Sequence, residues 1–119
     1  MKTILVVDDE LGSAEVLSLI LEEEGYRTFC AVNGELALVQ ARQAVPDLVI
    51  VDYMMPLMNG ADFARALRAE PQFAHTKVIL NSGLPELAIR DQFDSYDAFL
   101  RKPFKVERLL ELVHQFIGR

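Results

Sequence analysis

Five polar side chains stand at or just after the ends of short apolar runs in this sequence. They are Asp8, Asp9, Asp52, Ser82 and Lys102. Three carboxylates and one ammonium give a formal charge of −2 when they are brought together, and one divalent cation matches that charge. Oxygen ligands favour Mg²⁺, which binds one or two carboxylates, keeps several waters and accepts a phosphate oxygen. These residues therefore indicate a magnesium site that can also hold a phosphoryl group.

Asp52 is the candidate nucleophile among these residues. A carboxylate oxygen can attack phosphorus and form an acyl phosphate, while a cation and an ammonium neutralise charge on the transferred oxygens. Lys102 offers the ammonium and Ser82 offers a hydroxyl donor. Taken singly, each residue also has an ordinary interpretation. An aspartate pair after a strand often caps a helix, and an aspartate after four apolar residues, such as Asp52, often opens a loop. Ser82-Gly83 is often a turn, and a lysine before proline is usually solvated.

Short apolar runs alternate with stretches of helical period, which is typical of βαβ units and a parallel sheet covered on both faces. The predicted strands are 4–7, 26–32, 48–51, 78–80 and 98–100, and the predicted helices are 14–24, 35–43, 61–69, 85–92 and 106–117. Asp91 and Asp94 interrupt the fourth helix, so we expect it to be short. The pattern predicts an α/β fold, a single (βα)5 unit with helices on both faces of a doubly wound parallel sheet. Such sheets bind ligands at the carboxyl ends of their strands, where all five polar residues fall.

The composition sets limits on the function. With 119 residues, 51% of them hydrophobic, the chain fits one domain over 1–119. The formal net charge is −6, whereas nucleic-acid-binding domains usually carry a basic surface. We therefore expect no direct nucleic-acid contact. The lone Cys30 excludes an internal disulfide and favours a reducing, cytoplasmic setting. No apolar run exceeds four residues, which is too short for a membrane span or a secretion signal.

Four motifs together closely resemble the receiver domain of bacterial two-component response regulators, the CheY-like superfamily. They are the segments 4–10 (ILVVDDE), 52–60 (DYMMPLMNG), 82–83 (SG) and 102–104 (KPF). The motifs occur in the family's order and spacing, and the resemblance covers the whole chain. It implies a flavodoxin-like sheet with strand order 2-1-3-4-5, and a phosphoacceptor domain that serves signal transduction in a two-component system or phosphorelay.

The resemblance also implies roles for the polar residues. Asp52 would take a phosphoryl group from phosphohistidine on a sensor histidine kinase or a histidine phosphotransfer protein. Mg²⁺ would be bound directly by Asp9, Asp52 and the backbone carbonyl of Met54, with Asp8 acting through water. Ser82 and Lys102 would hold the phosphoryl oxygens.

Further implied features concern switching and hydrolysis. Ser82 and Phe99 would form the switch, and the bond before Pro103 would be cis. Met54 and Leu84 would flank the path of the hydrolytic water. Because apolar side chains cannot orient that water, we expect slow self-dephosphorylation.

The implied partners are the phosphodonor and an output protein or domain. The phosphodonor would dock on the first helix. The output partner, or a second copy in a homodimer, would use the fourth helix, fifth strand and fifth helix, with the basic residues Arg90, Arg101, Lys105 and Arg108. The domain would act as a signalling module and not as an enzyme, apart from assisting its own phosphorylation and dephosphorylation.

Two alternatives use similar chemistry or a similar fold. A haloacid-dehalogenase-type phosphatase also forms an aspartyl phosphate with Mg²⁺, but it needs a D-x-D pair and usually a cap domain. A flavodoxin-like flavin-binding module needs a hydroxyl- or glycine-rich phosphate loop after the first strand. Here Asp8 and Asp9 occupy that position and would repel a phosphate in the absence of a metal.

Overall fold

Five parallel strands form the centre of the molecule in a computed structural model, which describes residues 1–91 and 95–118. They are β1 (Thr3–Val7), β2 (Arg27–Ala31), β3 (Leu48–Asp52), β4 (Lys77–Ser82) and β5 (Ala98–Arg101). Their order across the sheet is β2-β1-β3-β4-β5, and all four pairings are parallel. The predicted α/β class and the implied flavodoxin-like order 2-1-3-4-5 are confirmed.

Helices cover both faces of this sheet, as predicted. They are α1 (Leu11–Glu23), α2 (Gly34–Gln43), α3 (Gly60–Arg68), α4 (Glu86–Arg90) and α5 (Val106–Ile117), and a short 3₁₀ turn spans Pro71–Phe73. One core lies between the sheet and α1 with α5, and the other lies between the sheet and α2, α3 and α4. Among the described residues, every helix is too short or too polar to span a bilayer.

The continuous apolar runs of the central strands are explained by burial on both faces. All five residues of β3 are buried. Successive side chains of a strand point to opposite faces, so Val49 and Val51 enter the core under α2 and α3, whereas Leu48 and Ile50 enter the core under α1 and α5. A strand of this kind cannot shift its register without exposing apolar surface. The carboxyl ends of β1 and β3 are therefore fixed relative to each other.

Several predicted boundaries differ from the structure. The first helix begins at Leu11, three residues before the predicted 14, so Gly12 and Ser13 belong to its first turn. The early start follows from a local hydrogen bond, in which the backbone N–H of Glu10 donates to Asp8 Oδ1 at 2.9 Å and turns the chain directly after β1.

The predicted ends of β3, β4 and α4 also differ from the structure. Asp52 and Ser82 are the last residues of their strands, and do not follow them. The predicted helix 85–92 is shorter, at Glu86–Arg90, and position 92 lies outside the described residues. The other predicted elements agree with the structure to within one residue at each end.

Polar groups at the amino end of the sheet are paired with one another. The Asp97 carboxylate accepts hydrogen bonds from the backbone N–H of Val78 at 2.8 Å and from Arg68 at 3.0 Å. Asp47 accepts one from the backbone N–H of Thr3 at 2.8 Å. These bonds tie the starts of β1, β4 and β5 to neighbouring segments, and they satisfy backbone donors that would otherwise be left unpaired.

The loop after β3 is held tightly against the strand end that carries Asp52. The N–H of Gly60 donates to the carbonyl of Tyr53 at 2.8 Å. A Cβ atom at Gly60 would lie 2.6 Å from the Asp52 carbonyl oxygen and 2.8 Å from Leu80 Cδ1. Only glycine allows this approach of backbone to backbone. The start of α3 is thus seated directly on the end of β3.

Substituting Gly60→Ala is expected to destabilise the protein by about 1–3 kcal/mol, because the added methyl group overpacks the contact with β3. Urea unfolding followed by circular dichroism measures the change. Gly12→Ala is the matched control, since a Cβ at Gly12 meets nothing within 4 Å and alanine is favoured in a helix. The control should be unchanged or slightly more stable. Equal stability of the two variants would contradict the close-contact argument.

Candidate phosphoacceptor site

The carboxyl end of the sheet brings three predicted carboxylates together. One oxygen from each of Asp8, Asp9 and Asp52 lies within 4.8 Å of the others. Lys102 Nζ lies 3.1 Å from Asp52 Oδ2. Residues that are far apart in the sequence therefore form one cluster, in which a single ammonium contacts the carboxylate at the end of β3.

Backbone hydrogen bonds continue past the ends of the strands and fix these side chains. The N–H of Asp8 donates to the Ala31 carbonyl at 3.0 Å, and the N–H of Lys102 donates to the Ser82 carbonyl at 2.8 Å. The first residue after β1 and the first residue after β5 are thus held almost as firmly as residues within the strands. This explains how mutually repelling side chains stay close together.

The electrostatics of the cluster favour a cation. Burial raises the pKa of Asp8 above its usual range, and the charges on Asp52 and Asp9 raise it further, whereas the Glu10 N–H and Lys102 lower it. Asp8 is only 9% exposed and Asp52 only 6% exposed, so water screens their repulsion poorly. Closely spaced, hard oxygen donors with excess negative charge suit a divalent cation such as Mg²⁺.

Ser82 ends β4, and the two apolar residues of the implied hydrolytic path, Met54 and Leu84, lie two positions after the ends of β3 and β4. Ser82 is fully buried, and its Oγ accepts a hydrogen bond from the N–H of Leu84 at 2.9 Å. The N–H of Met54 is directed at Asp52 Oδ1, at 3.4 Å. The side chains of Met54 and Leu84 are largely solvent-accessible, with 59% and 39% of the residue surface exposed.

Phe99 lies in β5 beside Leu80 of β4 and is partly buried against the core under α2, α3 and α4. Its ring lies 5.9 Å from the ring of Tyr96, measured between centroids. The Tyr96 hydroxyl donates to Glu86 Oε2 at 2.5 Å. Sequence reasoning missed Tyr96 and Glu86, because they come together only when the chain before β5 packs on the start of α4.

The peptide bond between Lys102 and Pro103 is cis, the isomer that the resemblance implies.

A groove of about 920 Å³ opens beside the carboxylates, between α1 and the segment that follows β5. Its polar lining includes Asp8, Asn81 and Lys102. Its apolar walls come from α1 and from the segment after β5, and include Val16, Leu17, Ile20, Pro103, Phe104 and Val106. The first helix, which we expect to receive the phosphodonor, thus forms one wall of an apolar groove that ends at the acceptor site.

Asn81 is a polar lining residue that sequence reasoning missed, because the predicted strand ended at position 80. It lies within β4, paired in register with Asp52 of β3, and is 5% exposed. Among the described residues, its Oδ1 atom has no hydrogen-bond partner. The position of a polar residue between Leu80 and the candidate site residue Ser82 was the sequence signal that could have identified Asn81 as part of the site.

The fold and the clustered aspartates define a class of phosphoacceptor domains, and comparison with known proteins identifies the family. The family model described as the response regulator receiver domain matches residues 4–114. This chain therefore belongs to the receiver-domain family of two-component response regulators, and its role is in signal transduction.

Individual relatives agree with this assignment. The DNA-binding response regulator MtrA of Mycobacterium tuberculosis is 35% identical over 126 aligned positions, which cover 98% of this chain and 50% of MtrA. The chain spans about half the length of the curated relatives that it matches.

Solved structures extend the comparison. The response regulator TrrA of Thermotoga maritima, solved in complex with Mg²⁺ and BeF, is 36% identical with a TM-score of 0.87, over 98% of this chain and 100% of that one. The chemotaxis response regulator CheY4 of Vibrio cholerae is 28% identical with a TM-score of 0.90, over 98% and 99% of the two chains.

Substituting Asp8→Asn is expected to stabilise the metal-free protein at pH 7. The raised pKa of Asp8 means that the folded state binds this proton more tightly than the unfolded chain, so wild type loses stability as the pH rises through the raised pKa. The amide removes this charge and keeps an acceptor for the Glu10 N–H.

Urea unfolding in EDTA, at several pH values, measures the effect of Asp8→Asn. The gain should be largest near neutral pH and should shrink as the pH falls towards the ordinary carboxyl value of 3.8. Asp47→Asn, at the amino end of the sheet, is the control and should show no such gain. A gain that is absent at pH 7, or independent of pH, would argue against a repulsive carboxylate cluster.

Proposed function

We propose that residues 1–119 form one receiver domain, in which Asp52 accepts a phosphoryl group from phosphohistidine on a sensor histidine kinase or histidine phosphotransfer protein. The observation that carries the proposal is the cluster itself, with carboxylate oxygens of Asp8, Asp9 and Asp52 within 4.8 Å and Lys102 Nζ 3.1 Å from Asp52. Family membership supports the same conclusion.

In the proposed step, an oxygen of Asp52 forms a bond to phosphorus while the bond between phosphorus and the donor nitrogen breaks. The electron pair leaves with the imidazole nitrogen, which takes up a proton, and the product is an acyl phosphate. Lys102 offsets negative charge on the transferred oxygens. Ser82 accepts its hydrogen bond from Leu84, so its own hydroxyl hydrogen remains available to a phosphoryl oxygen.

The donor set fits Mg²⁺, which neutralises charge on the transferred oxygens when it is bound. Asp9, Asp52 and the Met54 carbonyl would bind the ion directly, and Asp8 would act through water. The raised pKa of Asp8 supports this assignment, because a bound cation would stabilise the carboxylate charge that burial, and then the neighbouring aspartates, disfavour. The Thermotoga maritima relative was solved with Mg²⁺ and BeF.

Phosphorylation would be transmitted through Ser82 and Phe99 to the surface formed by α4, β5 and α5. An output protein or domain, or a second copy of the chain, would bind there. Four basic side chains on this surface are exposed, namely those of Arg90, Arg101, Lys105 and Arg108. The phosphodonor would occupy the groove beside α1.

The domain would act as a switch and not as an enzyme that turns over a separate substrate. The family match favours this role over the haloacid-dehalogenase and flavin-binding alternatives. Cytoplasmic signalling fits the one cysteine, Cys30, which is unpaired in the structure, and a formal net charge of −6 disfavours direct nucleic-acid binding by this domain.

Incubation with acetyl phosphate and Mg²⁺ is expected to add one labile phosphoryl group to wild type, measured by intact mass. EDTA should abolish the adduct, and Asp52→Asn should remove it, because the substitution deletes the nucleophilic oxygen. Asp47→Asn makes the same carboxylate-to-carboxamide change at the other end of the sheet and should be labelled like wild type. An adduct that survives in Asp52→Asn, or forms equally in EDTA, would contradict the proposal.

The double variant Met54→Asn with Leu84→Glu is expected to lose its phosphoryl group faster than wild type, by roughly tenfold, because polar side chains can orient the attacking water. The decay of the labelled protein after donor removal, followed by intact mass, measures this rate. Leu87→Glu, an exposed apolar residue of α4, is the control for added charge. Unchanged decay in the double variant would refute the expected role of Met54 and Leu84.

A further inference from the structure

Asn81 is a polar residue in a strand whose neighbouring residues are buried and mostly apolar. The residue is 5% exposed, and its Oδ1 atom accepts no hydrogen bond from any described residue. A buried acceptor without a donor weakens the folded state. An apolar side chain at this position would avoid that penalty, so the amide calls for a functional explanation.

The sheet register places this amide beside the acceptor. Asn81 pairs with Asp52 of β3 on one side and with Leu100 of β5 on the other. Side chains of paired residues in a parallel sheet point to the same face, and neighbouring strands lie about 4.8 Å apart. Lys102 follows Leu100 by two positions, so it returns to that face. Asn81 and Lys102 also line the same groove.

The bond between Lys102 and Asp52 cannot survive phosphorylation unchanged. The Asp52 carboxylate now contacts the ammonium at 3.1 Å. When an Asp52 oxygen bonds to phosphorus and the bond from phosphorus to the donor breaks, that carboxylate becomes a neutral acyl group. An ammonium has three donors and no acceptor, so Lys102 then needs other oxygens. The phosphoryl group supplies one, and Asn81 Oδ1 is a buried acceptor on this face of the sheet without a partner among the described residues.

We propose that Asn81 is a positioning residue, whose Oδ1 accepts a hydrogen bond from Lys102 once Asp52 carries a phosphoryl group. The inference rests on the proposed function and adds a residue to it. In this arrangement the ammonium is fixed between the amide and the phosphoryl oxygens. The Oδ1 atom is buried in the unphosphorylated domain, which favours a donor from within the fold, such as Lys102, over one from a docked partner.

Asn81→Leu tests the proposal, because leucine has nearly the shape of asparagine and lacks the acceptor. The dissociation constant for beryllofluoride, a phosphoryl mimic, is measured with Mg²⁺ by titration. We expect it to rise at least threefold in Asn81→Leu, while the free energy of unfolding of the metal-free protein stays equal or increases. Asn81→Val, whose side chain suits a strand, provides a second variant if the leucine variant does not fold.

A double-mutant cycle separates positioning from a general structural effect. In a Lys102→Met background, Asn81→Leu should have no further effect on the beryllofluoride dissociation constant, because the donor is gone. Thr76→Val is the control for loss of a buried polar group. It removes a 2.8 Å bond to the Pro46 carbonyl at the amino end, and it should lower stability without changing the dissociation constant.

Two outcomes overturn the inference. One is a beryllofluoride dissociation constant that Asn81→Leu leaves unchanged, and the other is an equal change in the wild-type and Lys102→Met backgrounds. If these occur while wild type is labelled on Asp52, the proposed function stands and only the role of Asn81 fails. If wild type neither takes a phosphoryl group nor binds beryllofluoride, both fail together.

Discussion

Mutual repulsion among carboxylates at one end of the sheet is the constraint on which the rest of the structure depends. Asp8, Asp9 and Asp52 would separate in a flexible chain, yet their oxygens lie within 4.8 Å. Burial of β1 and β3 on both faces prevents that separation, and backbone hydrogen bonds beyond the strand ends hold the side chains in place. The fold therefore maintains an unfavourable charge arrangement that a divalent cation can relieve.

Contacts across β4 and β5 connect the proposed site with the proposed switch surface. Ser82 ends β4, and its hydroxyl is bonded to the N–H of Leu84 in the loop that leads to α4. Phe99 of β5 packs against Tyr96, which is bonded to Glu86 at the start of α4. A change in the Ser82 bond and a change in the aromatic pair would therefore both act on the start of the same short helix.

Much of this was predictable from the sequence, for physical reasons. Continuous apolar runs revealed the central strands, because burial on both faces permits no alternation, and polar residues at their ends revealed the carboxylates and Lys102. The strand order came from the motif resemblance. The predicted start of α1 was wrong, because the hydrogen bond from the Glu10 N–H to the Asp8 carboxylate turns the chain earlier than the apolar pattern indicates. Asn81 and the Tyr96–Glu86 pair were missed, because their significance depends on neighbours that only the folded chain supplies.

The two ends of the sheet differ in how completely their charges are matched. At the amino end, Asp97 is bonded to Arg68 and to the Val78 N–H, whereas at the carboxyl end the acids outnumber the single lysine. A bound divalent cation should therefore act mainly on the carboxyl end of the sheet. Substitutions around Asp97 should therefore change the stability of the fold, whereas substitutions around Asp52 should change how the carboxylate cluster binds a cation.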